Sequence, residues 1–380
     1  MRKPAILPIE HPGTFLIEEL EARNWHQVDL AYILGMLPQQ LNLILNGKTD
    51  ITPDMAVSLG DAFDMPAEFF ANLQKMYNLQ KAKPVDPGVK TRAAWLSIFP
   101  IREMIKRGWI EETESGLLDL QMMRFFGKNR VEDIPFIGSG KIGAHAAKKT
   151  AYDSTMPVQY AWLHRVMKIA EGIDTPLYSE KLLRDTLPAI RAHMLDKDDL
   201  IQIPELLREC GVRFVLVEAL TGSKIDGVCV WLDGQPAIGM TTRLDRLDNF
   251  CFVLRHEIEH ALRGHGKDVS FAPVDEFDGN YESNENLPEE EKIANAEAGE
   301  FCVPREHLNS FILRKSPFIS EKDVLSFAAH MEIHPAVVIG QIQNKTKKYA
   351  WLRKYQTGIR KYLFDWEFKD GWGFQAPTGL

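Results

Sequence analysis

The chain of 380 residues is poor in cysteine, and its four cysteines form no C-x-x-C pair: Cys210, Cys229, Cys251 and Cys302. This spacing excludes a disulfide framework and predicts a reducing compartment. The chain also lacks an apolar run of the roughly 20 residues that would span a bilayer. Its first residues, MRKPAILPIEHPG, contain no apolar stretch of signal-peptide length. We therefore expect a cytoplasmic protein with no membrane partner.

An excess of positive charge is absent as well, because the net charge is −8. This balance excludes a protein that coats nucleic acid without specificity, although a local basic patch remains compatible with it. Hydrophobic residues make up 45% of the chain and charged residues 26%, as in ordinary globular proteins. The length is sufficient for two or three domains.

The pattern of apolar residues divides the chain into four segments. Residues 1–80 form an all-helical bundle, and residues 81–200 form a helical middle segment interrupted by proline and glycine. Residues 201–345 combine short strands with helices, and residues 346–380 form a basic and aromatic C-terminal tail. Lys83 to Gly88 is interpreted as a linker. The expected fold class is α+β, mostly α.

The third segment contains the strongest local patterns. Short β-rich stretches predict strands at 212–218, 228–232 and 235–240. Helical patterns cover 249–263 and 288–302, and two further short helices are expected between 320 and 343. Residues 275–291 contain eight acids and no base, which favours a solvated loop.

One of these helices contains the motif His256-Glu257-Ile258-Glu259-His260. Side chains four residues apart lie one helical turn apart on the same face, so both imidazoles can reach one tetrahedral zinc ion. Zinc lowers the pKa of a bound water towards about 7. Glu257, next to the first histidine, would take the proton of that water and pass it to a leaving amine. Manganese is the alternative metal.

A third protein ligand is required, and we expect Glu291 to provide it. Glu290 is the alternative, because neighbours in a run of glutamates are hard to separate by sequence. Asn295, one turn further on, could form a hydrogen bond to a ligating histidine. His265 follows the motif closely and is a candidate for a supporting or substrate-binding role.

Each of these features also has a structural interpretation. The motif could belong to an amphipathic helix with surface histidines. The glutamates could simply start a helix, where carboxylates interact favourably with the helix dipole. His265 is most simply an exposed side chain.

The segment HEIEHAL followed by EKIANAEAGEFCVP resembles the ImmA/IrrE family of metallopeptidases. Members carry H-E-x-x-H and then a helix of the form E-x-x-A-[ND]-x-F-A-x-x-L-L-x-P. The second pattern is matched by Glu291, Ala294, Asn295, Phe301, Val303 and Pro304. Glu297 departs from it, because an aromatic residue is usual there, and this puts the local packing in doubt rather than the ligand.

The resemblance extends over most of the chain, to about residue 345. Residues 209–240 are similar to the strands before the family's zinc helix, and residues 324–343 to its C-terminal helices. The segment IFPIREMIKRGWI is similar to the middle of proteins that fuse this peptidase to a HigA-like helix-turn-helix domain. The resemblance implies a gluzincin-like zinc site and either cleavage of a repressor or control of a stress or toxin–antitoxin operon.

Residues 24–46 have the spacing of a helix-turn-helix, with Gly35 at the turn and residues 38–45 as the recognition helix. This part resembles the HigA-like and XRE-like group. Carboxamide side chains can pair with adenine edges, and polar or basic side chains can contact phosphate. The candidates for bases are Gln39, Gln40 and Asn42, and those for phosphate are Gln27 and Lys48.

The charge of this segment opposes DNA binding. Residues 1–80 carry five Lys and Arg against ten Asp and Glu, a net charge of −5. Phosphate contacts supply most non-specific affinity, so the module is expected to bind DNA as a homodimer or to serve as a partner-binding bundle. Residues 344–361 carry seven bases, no acid and three interleaved aromatics. That composition suits nucleic acid, but a solvated helix that docks through an apolar stripe is favoured.

The leading hypothesis is a transcriptional regulator coupled to a zinc-dependent endopeptidase, whose partners are operator DNA and a repressor substrate. The alternative is a non-enzymatic DNA-binding antitoxin, in which the metal domain senses a ligand or binds a cognate toxin. A third possibility is a zinc-stabilised interaction module with neither activity.

Overall fold

The computed structural model describes residues 9–84, 86, 88–111, 117–137, 156–267 and 288–376. Contacts between residues divide the chain into two compact units, Met1–Asp86 and Pro87–Leu380.

The first unit is a bundle of five helices. They are α1 (Pro12–Ala22), α2 (Gln27–Ile33), α3 (Pro38–Leu45), α4 (Pro53–Phe63) and α5 (Ala67–Lys81). The predicted start of α4 is confirmed, since Thr52 caps it by accepting a hydrogen bond from the Met55 amide and Pro53 occupies the first turn. The bundle buries one apolar cluster, which includes Leu16, Leu30, Leu41, Leu59, Phe63 and Phe70.

Helices α2 and α3 form the helix-turn-helix. Their axes are bent by 112° at a short break. Such helices typically cross at about 90–120° around a glycine-containing turn. Gly35 has φ +65°, a conformation that strains any side chain with a Cβ atom. The predicted turn at Gly35 is therefore confirmed.

No single helix among the described residues is long and apolar enough to cross a membrane. Helices α2 and α3 would together meet the length and composition criterion as a bent pair. Their apolar side chains, including Leu30, Leu41 and Ile44, pack into the core of the bundle.

The second unit contains eleven helices and four strands among the described residues. The elements before the metal motif are α6 (Gly88–Leu96), α7 (Ile101–Lys106), α8 (Leu118–Phe125), α9 (Pro157–Ala170), α10 (Glu180–His193), α11 (Ile203–Glu209), β1 (Arg213–Val217), β2 (Gly227–Leu232) and β3 (Gln235–Met240). Those that follow are α12 (Leu247–Arg263), α13 (Glu289–Cys302), α14 (Arg305–Lys315), α15 (Glu321–His330), α16 (Pro335–Thr346) and β4 (Lys369–Asp370). The three predicted strands and the helices around the motif are thus confirmed to within a few residues.

The four strands form one mixed sheet in the order β2-β3-β1-β4. Strands β2 and β3 are an antiparallel hairpin, and β1 is parallel to both β3 and β4. Asp233 and Gly234 make the two-residue turn of the hairpin, with φ angles of +51° and +77°. Positive φ at both positions is the signature of a type I′ turn, which suits the twist of paired strands.

Helices cover both faces of this sheet, because alternate residues of β1 point in opposite directions. Phe214 and Leu216 pack in the same cluster as α12, whereas Val215 and Val217 pack with Trp162 of α9. Helices α6 to α9, which belong to the predicted helical middle segment, supply much of the layer on the side of Val215 and Val217. Helix α12 consequently lies between the sheet and helices α13 and α16.

The C-terminal residues differ in part from the prediction of a solvated helix that docks through an apolar stripe, because apolar side chains do pack on the core but the described residues beyond Thr346 form no α-helix. Helix α16 ends at Thr346 and 3₁₀ turns follow at Arg353–Tyr355 and Arg360–Tyr362. Ile359, Leu363 and Trp366 are buried in the core cluster. These three residues therefore belong to the core of this unit, and Trp351 and Tyr355 pack against it.

Candidate metal centre

Helix α12 is buried along almost its full length, although it carries several ionisable side chains. Its C-terminus is set by Gly264, which adopts a left-handed conformation with φ +68°. The exposed fraction of His256 and Glu257 is 0%, and that of His260 is 3%. Surface histidines on an amphipathic helix are therefore excluded. Buried ionisable groups are costly unless they are paired or coordinate a metal.

Glu291 lies in the first turn of α13 and faces both histidines. Its Oε2 atom is 3.1 Å from His256 Nε2, and its Oε1 atom is 3.2 Å from His260 Nε2. The two Nε2 atoms are 3.0 Å apart. Glu291 is 3% exposed, whereas Glu290 is exposed. The structure thus separates the two glutamates that the sequence could not.

The three side chains fit a metal ion. Nitrogen and oxygen ligands placed tetrahedrally about 2.0–2.2 Å from zinc lie ~3.3 Å from one another. The observed separations of 3.0–3.2 Å are close to this value. His256, His260 and Glu291 form the one such group of three potential ligands found in the described part of the chain.

Electrostatics favour an ionised Glu291. Burial alone would raise the pKa of this carboxyl group, but hydrogen bonds and charge from His256 and His260 outweigh burial and hold the pKa well below its usual range. A carboxylate that stays ionised in a buried position is available as a metal ligand.

The Nδ1 atom of His260 lies 3.0 Å from Nδ1 of His265. His265 is in turn positioned through its carbonyl oxygen, which accepts a hydrogen bond of 2.8 Å from Trp231 Nε1. A partner on the second ring nitrogen orients a ligating histidine. This role was predicted for Asn295, but Asn295 Oδ1 is buried without a hydrogen-bond partner among the described residues. His265 is the observed neighbour.

The Glu257 carboxylate lies against Gly227, the first residue of β2. A Cβ atom at position 227 would overlap Glu257 Oε1 and would be 2.7 Å from Val253 Cγ1. A side chain at position 227 would therefore force Glu257 or Val253 to shift, and glycine lets the strand pass close to the carboxylate. Sequence reasoning missed Gly227, since a glycine at a strand end carries no chemical signal of its own.

The departure at Glu297 has a local explanation. Glu297 Oε2 is 3.7 Å from the guanidinium of Arg255, and Arg255 also contacts Glu259 at 2.8 Å. Arg255 lies over the ring of Phe301, 5.5 Å from its centroid. The negative charge at position 297 therefore lies opposite an arginine of α12.

The predicted acidic loop falls largely outside the described residues, which resume at 288. The candidate DNA contacts lie within them. All five side chains are exposed on the helix-turn-helix unit: Gln27, Gln39, Gln40, Asn42 and Lys48. Two of them are engaged locally, as Gln40 accepts a hydrogen bond from the Leu37 amide and Asn42 accepts one from Asn46.

Comparison with models of protein families finds no match, and comparison with curated proteins finds none either. Among solved structures, the chain is similar to an addiction module antidote protein of the HigA family from Coxiella burnetii. The identity is 35%, and the match covers 20% of this chain and 84% of that protein, with a TM-score of 0.20.

Proposed function

We propose that this protein is a transcriptional regulator that contains a zinc-dependent endopeptidase centre. The carrying observation is the convergence of three buried ligand side chains from α12 and α13 beside a second buried carboxylate, Glu257. The resemblance to ImmA/IrrE metallopeptidases supports the same assignment.

In this proposal His256, His260 and Glu291 hold the metal. A zinc ion held there would supply a Lewis acid and lower the pKa of water. Glu257, whose carboxylate lies against Gly227 of β2, would accept the proton of the attacking water and deliver it to the leaving amine. His265 would keep the ring of His260 in its ligating orientation.

The substrate class is a protein, which the resemblance suggests is a repressor. The helix-turn-helix unit would bring the centre to its operator DNA, with Gln39, Gln40 and Asn42 on its exposed recognition helix. The net charge of −5 on residues 1–80 makes a homodimer the form expected to bind DNA.

The test uses the full chain loaded with zinc and a purified candidate repressor encoded by a neighbouring gene. We expect wild type to cleave the repressor and Glu257→Gln to retain metal but lose at least ~100-fold in cleavage rate, the contribution typical of a general base. Glu290→Gln, an exposed neighbour in the adjacent run, serves as the control and should cleave normally.

Cleavage by Glu257→Gln at the wild-type rate would remove the proposed mechanism. Absence of cleavage by a zinc-loaded wild type would favour the rival hypothesis, a regulator whose metal domain binds a partner or senses a ligand.

A further inference from the structure

A second concave site lies in the same unit as the metal centre and is built from residues that the proposed peptidase does not use. It is a cavity of about 520 Å³ between the 3₁₀ turn Lys197–Gln202 and the C-terminal segment. Cavities of roughly 300–1,000 Å³ are typical of small-molecule sites. Its lining includes Lys197, Asp245, Arg360, Lys361, Tyr362 and Trp372.

The cavity combines three cations with aromatic faces. Lys197 and Lys361 lie 5.4 and 4.7 Å from the ring centroid of Tyr362. Arg360 lies 5.5 Å from the ring centroid of Trp372. None of the three cations forms an ion pair with a carboxylate of the described residues.

The wall of the cavity carries a net positive charge, because three cations line it against one carboxylate. Asp245 is the one carboxylate among the lining residues described, and its Oδ1 atom accepts hydrogen bonds from the amides of Ile359 and Arg360 at 2.9 and 2.7 Å. These hydrogen bonds hold Asp245 in the wall, and the net charge of the lining side chains remains positive.

We propose that this cavity binds a phosphorylated nucleoside. Arg and Lys side chains recognise phosphate oxygens, and aromatic rings stack on bases whatever their sequence. Neither a metal cation nor an apolar ligand suits a wall with three cations and one carboxylate. The same chemistry is offered by a free nucleotide and by the phosphorylated end of a single strand.

The site is connected to the start of the metal-binding helix. Arg360 donates a hydrogen bond to the Thr242 carbonyl at 3.0 Å, and the Leu247 amide donates one to the Thr357 carbonyl at 3.0 Å. Residues 242–247 lead into α12, which carries His256 and His260. A bound nucleotide would thus stabilise the segment from which the metal helix begins.

The experiment is calorimetric titration of the full chain with AMP, ADP, ATP and GTP, and separately with inorganic phosphate and a 5′-phosphorylated oligonucleotide. We expect at least one nucleoside phosphate to bind, and the double substitution Lys197→Ala/Lys361→Ala to weaken it at least tenfold. Both lysines lie outside the core, so this variant should fold. The control pair Arg353→Ala/Lys354→Ala removes the same charge from exposed positions in the same basic run and should bind as wild type does.

The remaining titrations distinguish a free nucleotide from a strand end, and binding at the cavity from binding at the metal centre. Preference for the oligonucleotide over the mononucleotides would support the proposal with a strand end as the ligand. Nucleotide phosphates also bind metals, so Glu291→Gln must retain the affinity. Loss of binding in Glu291→Gln would overturn the proposal. Equal affinity for inorganic phosphate, no binding by any probe, or no effect of the lysine pair would each overturn it as well.

Discussion

At the scale of single residues, the predictable part of the centre is the part encoded by local spacing. His256, Glu257 and His260 follow from a four-residue interval on one helix. The choice between Glu290 and Glu291 does not, because the rotation of α13 is set by its packing against α12. The position of Asn295 also depends on that packing, and its Oδ1 atom has no hydrogen-bond partner among the described residues. His265, the other candidate for a supporting role, reaches His260 locally through the turn after α12.

A prediction at this scale concerns the close approach of Gly227 to Glu257. Gly227→Ala places a Cβ atom on the Glu257 carboxylate and close to Val253. Overpacking of this kind typically costs about 1–3 kcal/mol, and the base is displaced as well. We expect metal content close to that of wild type, a lower melting temperature and a larger loss of cleavage than of stability.

Gly299→Ala on α13 is the matched control, because a Cβ there meets nothing within 4 Å. It should be neutral or stabilising, since alanine is favoured over glycine by up to about 1 kcal/mol in a helix. Unchanged cleavage in Gly227→Ala would show that the strand does not position Glu257.

At the scale of elements, patterns of five or six residues were sufficient and shorter ones were not. The stretches that became β1 and β2 each carry two valines, which favour strands, and β3 carries one β-branched residue, Ile238. Strand β4 has two residues, Lys369 and Asp370, and exists only because it pairs with Leu216 and Val217 of β1. No local pattern can predict a strand whose stability comes wholly from a partner some 150 residues away.

The packing of α8 against α9 should make the free energy of unfolding depend on pH. His164 lies among the rings of Phe125, Phe126 and Tyr160. Burial there lowers the pKa of His164 from 6.5 to about 4. As the pH falls from 6.5 to 4, the unfolded chain binds a proton that the folded chain does not. The free energy of unfolding therefore has its full value above pH 6.5. It decreases by up to about 3 kcal/mol as the pH falls to 4 and below.

Denaturant unfolding of wild type and His164→Gln between pH 7 and pH 4 measures this contribution. The free energy of unfolding should fall less steeply in the variant. His307→Gln, which removes an exposed histidine, controls for loss of a histidine as such. Identical pH profiles for wild type and His164→Gln would contradict the assignment.

At the scale of the whole molecule, the C-terminal residues are part of the second unit. Asp370 is fully buried and accepts hydrogen bonds from Trp109 Nε1 at 2.6 Å and from Arg165 Nε at 3.0 Å. These hydrogen bonds link three segments that are far apart in the sequence. Without Asp370, the buried donors of Trp109 and Arg165 would lose this acceptor.

Asp370→Ala should accordingly destabilise the protein by about 3–5 kcal/mol, because it leaves the buried Arg165 cation uncompensated. Urea unfolding measures the change, with the exposed Asp365→Ala as the control. A loss within about 0.5 kcal/mol, as for an ordinary surface substitution, would contradict this role.

The metal itself is the most direct test of the account, because separations of 3.0–3.2 Å also suit hydrogen bonds between two histidines and a carboxylate. The measurement is the metal content of purified full-length protein after loading with zinc and removal of excess. We predict about one zinc per chain in wild type and in the exposed-neighbour control Glu290→Gln, and nearly none in His256→Ala and Glu291→Gln. Zinc retained in both ligand variants, or no zinc in wild type, would contradict the central claim.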